Sequence, residues 1–219
     1  MMEAEYTSFG ILVLLISLLG YILENIWLAA TKGYCDNRNM YLPFLLGYGL
    51  LVVGMYLIMG TPDDIVFFGK IPYKGNDRQM YYLLAVIIVS IGEIALGTLV
   101  EKSFGFEYWN YSWIPLHITK YTSVPTSLGF GAIITLFMDR IFTPVLAWAH
   151  QIYTPMLSFI IKLLLTACFA DMIISFIKMY RSGGQNRLWC FCVRRRRDSH
   201  RRLCRLSGRL RHESSTGAF

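Results

Sequence analysis

The chain has 219 residues, 55% hydrophobic and 16% charged, with a net charge of +7. Its mean hydropathy is +0.44, and its apolar residues are gathered into long unbroken blocks. Both features exclude a soluble globular domain, which at this size carries more charge and disperses its apolar positions.

Five apolar blocks run at roughly residues 8–30, 41–59, 81–101, 122–138 and 156–178. Each approaches the about 20 helical residues that cross a hydrocarbon core of ~30 Å. Within them the apolar side chains surround the helix, as lipid burial requires. Alternating strands of about 10 residues, the mark of a membrane barrel, are not visible. The predicted fold is an all-α membrane protein with five transmembrane helices over residues 1–181. Glu3 and Glu5 precede the first block where a signal peptide would carry basic residues, so it is expected to stay as a span.

Two elements occur twice in this order. Residues 20–24 read Gly-Tyr-Ile-Leu-Glu and residues 97–101 read Gly-Thr-Leu-Val-Glu. After each comes a proline element, Pro43-Phe-Leu-Leu-Gly47-Tyr-Gly49 and Pro125-Thr-Ser-Leu-Gly129-Phe-Gly131. A carboxylate is costly in a span, so two in matching places suggest that spans 1–4 are a duplicated helical hairpin sharing a polar site. With five spans and the C-terminus inside, the cytoplasmic side holds Lys32, Arg38, Lys102, Lys120, Lys178 and Arg181, and the outer side holds Lys70, Lys74, Arg78 and Arg140. The excess inside predicts N-out, C-in, which makes the two hairpins parallel about an axis along the membrane normal.

The third block carries the sharpest polar feature. Ser90, Glu93, Gly97 and Glu101 are spaced by three or four and share one helix face. Such a face must point into the bundle or a water-filled cavity, and Gly97 lets another backbone approach it. At least one of its two carboxyls is expected to be protonated at neutral pH, which suits proton or cation coupling; a neutral carboxyl serving only helix assembly is the alternative. Arg38 and Lys32 are the cations within reach of Glu24 or Glu101. Asp171 lies inside the fifth block with Ser175 one turn on, and Lys162 projects from the opposite side. Tyr108, Trp109, Tyr111 and Trp113 suit an interfacial belt, and Asn110 and Ser112 between them are placed to cap or bond the glutamates. Residues 139–155, with Pro144, Trp148 and Pro155, read as a short interfacial segment. His117 and His150 read as polar anchors.

The +7 charge belongs to the end of the chain. Residues 1–181 hold eleven Lys and Arg against twelve Asp and Glu, a net of −1; residues 182–219 hold ten arginines against Asp198 and Glu213, a net of +8. Arg194 to Arg197, Arg201 and Arg202 suit anionic lipid headgroups. The abrupt change to arginine-only usage also fits a disordered or non-native tail, such as a shifted reading frame. Cys190, Cys192, His200 and Cys204 match no common zinc spacing, and neither a metal nor a cofactor is expected. No G-x-x-x-x-G-K-[ST], H-E-x-x-H or G-x-S-x-G occurs, so the chain carries no phosphate loop of its own.

Taken together, Gly20 to Glu24, Asn37-Arg38, Pro43 to Gly49, Glu93 to Glu101, Trp109-Asn110-Tyr111-Ser112 with Pro115, and Asp171 with Ser175 resemble the ABC-transporter type IV membrane-protein family of bacteria. The resemblance covers residues 10–180 in outline and stops before the tail. Asn110 stands where the family usually has aspartate, and Asn39 stands where it often has glycine. The resemblance implies a permease subunit that works with a separately encoded ATPase in the plasma membrane. On this reading, or as a small ion-coupled carrier, Glu24, Arg38, Glu93, Glu101 and Asp171 bind or gate a cationic or proton-coupled substrate. A non-transporting scaffold or sensor and a lipid-acting membrane enzyme are the rival classes. A homodimer is plausible because five spans leave little room for a private pathway.

Overall fold

The computed structural model describes residues 2–73, 75, 77–183 and 186–192. Helix α1 runs Met2–Lys32, α2 Leu46–Met59 and α3 Asp77–Phe104. A fourth helix begins as α4, Val124–Phe137, passes through a π-turn, Met138–Phe142, and continues as α5, Thr143–Gln151; α6 is Pro155–Arg181. Four helices are long and apolar enough to cross a membrane: α1, α3, the composite 124–151 and α6. The fourteen residues of α2 give about 21 Å, short of a full hydrocarbon core.

The sequence sets several boundaries directly. Ser123 caps α4 by accepting from the Thr126 N–H, Thr126 returns the bond, and Pro125 occupies the first turn, where its missing N–H costs nothing. Thr154 caps α6 by accepting from the Leu157 N–H, ahead of Pro155. Gly60 ends α2 with φ +70°, and a Cβ there would sit 2.5 Å from the Asp64 carbonyl. The separate interfacial segment expected over 139–155 is not separate: the helix runs on to Gln151. Pro144 clashes with the carbonyl one turn back, and the wider π-turn just before it relieves that clash without breaking the rod.

Helix α1 lies at the centre. Leu12, Met55, Met59, Ile65, Tyr81, Ala85, Met138, Phe142 and Ala149 close around it into the core. Helix α2 returns antiparallel beside α1, where Gly49 has no room for a Cβ against the Val13 carbonyl and the Ser17 hydroxyl. Helix α4 returns beside α3 in the same way, where a Cβ on Gly131 would meet Val86 Cγ2 at 2.5 Å. The outward stripe of α3, Leu83, Ile87 and Ile91, is exposed and apolar, as a lipid-facing surface is.

The connections form small antiparallel ladders that the helical pattern did not announce. Residues 60–72 make a three-stranded one, β2 (Gly60–Thr61), β3 (Asp64–Phe67) and β4 (Ile71–Pro72), which tucks Ile65 beneath the helix ends. Strands β5 (His117–Thr119) and β6 (Thr122–Ser123) pair just before α4. Strand β1 (Tyr34–Asp36) pairs with β7 (Cys190–Cys192). Asn37 reinforces this pairing by accepting from Leu188 N–H and donating to the Asn186 carbonyl. Residues 186–192 therefore lie against the first loop. The arginines at 194–211, His200 and Cys204 lie outside the described residues.

Candidate functional site

The groups singled out in the two repeated motifs collect at one end of the bundle, where α1, α3 and α6 finish and α2 and α4 begin. Two arrangements there share one chemistry. In the first, Tyr48 lies against Gly20 so closely that a Cβ would come 2.6 Å from its ring. That contact brings the phenol to Glu24, where it donates to Oε1 at 2.6 Å. Arg38 Nη2 meets the other oxygen, Oε2, at 3.1 Å. Burial opposes the charge on Arg38, but Glu24, with help from Tyr108 and Asp36, outweighs it and lifts the guanidinium above its ordinary pKa. Arg38 and Asn39 both have positive φ, 49° and 64°. Asp36 holds this turn by accepting the Arg38 N–H at 2.9 Å.

In the second, Tyr121 lies against Gly97 and donates to Glu101 Oε2 at 2.6 Å, and Lys120 pairs with Oε1. Lys120 also meets Glu107 at 2.9 Å. Its hydrogen bonds to Glu101 and then Glu107 raise the ammonium well above its ordinary pKa, and the bond from Lys120, followed by that from Asn110, lowers the Glu107 carboxyl. Each site is thus a glycine, a tyrosine, a glutamate and a cation, with one carboxylate oxygen on the phenol and the other on the cation. The tyrosines come from different places. Tyr48 belongs to the proline element, whereas Tyr121 precedes it, and the residue matching Tyr48 is Phe130, whose ring lies 6.5 Å away across the bundle.

The aromatic block joins these sites. Tyr108 donates to the Arg38 carbonyl at 3.3 Å and stacks on Phe176. Trp109 Nε1 donates to the Tyr121 carbonyl at 2.9 Å. Tyr111 lies within electrostatic reach of Glu93, Glu24 and Arg38. Burial pushes the Tyr108 phenol up to about 12 and raises that of Tyr111 as well. Of the block, Trp113 faces outward, 59% exposed. Asn110 bonds Glu107 rather than Glu93 or Glu101, and its Oδ1 accepts the Ser112 N–H. An aspartate at 110 could accept from Ser112 but could not donate to Glu107.

Glu93 accepts from Thr122 at 2.7 Å, and Thr122 is bonded in turn to Ser127 at 2.9 Å. Asp171, 7% exposed, accepts the backbone N–H groups of Tyr41 and Leu42 at 3.0 and 2.9 Å and the Ser175 hydroxyl. It clamps the first loop to α6. Lys162, on the other side of α6, meets Glu3 at 3.2 Å. His150 bonds Ser8, and His117 bonds the Ile114 carbonyl.

Of the residues singled out in the sequence, Glu24 and Arg38 meet directly. Glu93 and Glu101 share a face toward Thr122 and Tyr121, and Asp171 reaches the same loop as Arg38. Lys32 partners neither glutamate; Lys120 takes the place expected of it on Glu101. Tyr48, Lys120, Tyr121, Thr122 and Ser127 escaped the sequence reading. Tyr48 and Ser127 lie within the two proline elements and Lys120, Tyr121 and Thr122 just before the second, but no spacing rule connects either tyrosine to its glutamate. Among the described residues no group of His, Cys, Asp and Glu is arranged to hold a metal.

No curated protein and no solved structure matches the chain. The model of the family described as "Putative ABC-transporter type IV" matches residues 11–176, which include Gly20, Glu24, Arg38, Tyr48, Glu93, Gly97, Glu101, Lys120 to Thr122, Ser127 and Asp171. The chain is a multi-pass membrane protein and belongs to that transport-related family.

Proposed function

We propose that the chain is the membrane-spanning permease subunit of a transporter driven by a separately encoded ATPase in a bacterial plasma membrane. On this reading α2, extended by the apolar residues 41–45, completes a fifth span, the two hairpins descend from one duplicated unit, and the protein lies N-out and C-in. Glu24, Arg38, Glu93, Glu101 and Asp171 are its gating and binding residues. The observation that carries the reading is the doubled set of glycine, tyrosine, glutamate and cation at one end of the bundle. Two equivalent locks, each made of a charge pair that a competing cation or anion can open, suit a gate shared by two halves. The approach of Tyr48 to its counterpart Phe130 supports the duplicated hairpin, since residues near a twofold axis meet their own equivalents.

A second reading is favoured by how fully the acids are satisfied. Asp171 and Glu24 have both oxygens occupied by partners within the chain, as they would in a scaffold or sensor whose acids serve assembly. Purification of the full chain from its native membrane in mild detergent separates the two, with mass spectrometry of the co-purifying proteins. A stoichiometric ATPase carrying a phosphate loop is the expected result. Its reproducible absence overturns the permease reading and leaves the scaffold.

A further inference from the structure

The hydroxyls around Glu93 form a chain with more order than helix assembly requires. Thr122 Oγ1 lies 2.7 Å from Glu93 Oε2, Ser127 Oγ lies 2.9 Å from Thr122 Oγ1, and Ser90 Oγ lies 2.9 Å from Ser127 Oγ. Ser90 Oγ is also 2.8 Å from the Val86 carbonyl. Thr122 and Ser127 are 0% and 2% exposed, so their hydroxyls depend on one another. No cation is paired with Glu93 among the described residues. Tyr111 is the titratable group facing it from the loop, Thr122 and Ser127 face it from β6 and α4, and on α3 itself the nearest acid is Glu101, two turns away.

Each hydroxyl has one proton to donate. A carboxylate only accepts, so with Glu93 ionised Thr122 donates to Glu93, Ser127 to Thr122 and Ser90 to Ser127. With a proton on Oε2 every bond reverses. Glu93 donates to Thr122, Thr122 to Ser127, Ser127 to Ser90, and Ser90 to the Val86 carbonyl already in place. Both orders use the same atoms at the same separations, and each leaves every hydroxyl donating. No hydroxyl ionises; the one proton comes from water and rests on Glu93.

The geometry points to a proton-binding site built from Glu93, Thr122, Ser127 and Ser90, in which a single proton taken up on Glu93 reverses the hydroxyl chain and is sensed at Ser127 in the first turn of α4. It goes beyond the proposed function by naming the ion that one of its gating residues, Glu93, takes up. The first hairpin lacks it: counting back from Gly20 as from Gly97, Ile16 stands in place of Glu93 and Val13 in place of Ser90.

Infrared difference spectroscopy of the full chain in lipid nanodiscs, recorded from about pH 5 to about pH 9, tests this. The expected result is one protonated-carboxyl band that comes and goes with pH, disappears in Glu93→Gln and persists in Glu101→Gln. Because the bonds polarise one another along the chain, the band should move to higher frequency in Ser127→Ala. It should move less in Ser90→Ala, a change that does not touch Glu93, and should return in Ser127→Thr. A band absent over the whole range, lost with Glu101 instead, or unmoved by Ser127→Ala and Ser90→Ala overturns the proposal. A titrating Glu93 in a protein that retains no ATPase keeps the proton site and loses the permease; an ATPase with a silent Glu93 does the reverse.

Discussion

At the scale of single residues, acids act here through the groups they hold. Asp171 gives both oxygens to backbone N–H groups of the first loop. Asp171→Ala should cost about 1–3 kcal/mol by orphaning those donors, read as a lower melting temperature in detergent; Asp171→Asn, which keeps one acceptor, should fall between. Glu107 has a definite acid signature. Its carboxyl is held low by Lys120 first and Asn110 second, so the folded state favours the ionised form. Its contribution is complete above the ordinary glutamate pKa of about 4.3 and is lost as the pH falls through the lower folded value. Thermal midpoints of wild type and Glu107→Gln should differ at neutral pH and converge in acid; parallel curves down to the lowest pH would contradict the pairing with Lys120.

At the scale of elements, the two glycines of each proline element do different work. Gly49 and Gly131 are where paired helices touch, while Gly47 and Gly129 have nothing within 4 Å of a Cβ. Gly131→Ala should therefore cost about 1–3 kcal/mol by forcing α4 off Val86. Gly129→Ala should be neutral or stabilise by up to about 1 kcal/mol through helix propensity. Denaturation of the two variants in the same detergent compares them directly, and equal effects would refute the close approach. The repeated motif was legible because glycine and glutamate four apart form one face. Which glycine of each G-[YF]-G touches the partner helix was not, since both lie in the same local pattern and only the partner's position separates them.

At the scale of the whole molecule, the first loop is the junction. It is gripped by α1 through Glu24 and Arg38, by α6 through Asp171, and by residues 186–192 through Asn37 and Asn39. Asn37→Ala removes two of the bonds to the 186–192 segment at once. Limited trypsin digestion should then cut at Arg187 faster than in wild type, while the helical bundle stays intact. Unchanged cleavage would mean that the β1–β7 ladder holds the segment unaided.

The sequence by itself determined that the chain crosses a membrane, roughly where its long helices lie, and which face of α3 is polar. These follow from composition and from the 3.6-residue period, which are properties of neighbours along the chain. It also singled out Glu24, Arg38, Glu93 and Asp171, each of which has hydrogen-bond or ion-pair partners in the fold. Tertiary structure alone decided that Lys120 rather than Lys32 meets Glu101, that Pro144 is absorbed by a π-turn rather than ending its helix, and that Thr122 and Ser127 complete the surroundings of Glu93. Those outcomes depend on distances between segments tens of residues apart, set by how side chains fill the space between helices, and no local spacing encodes them.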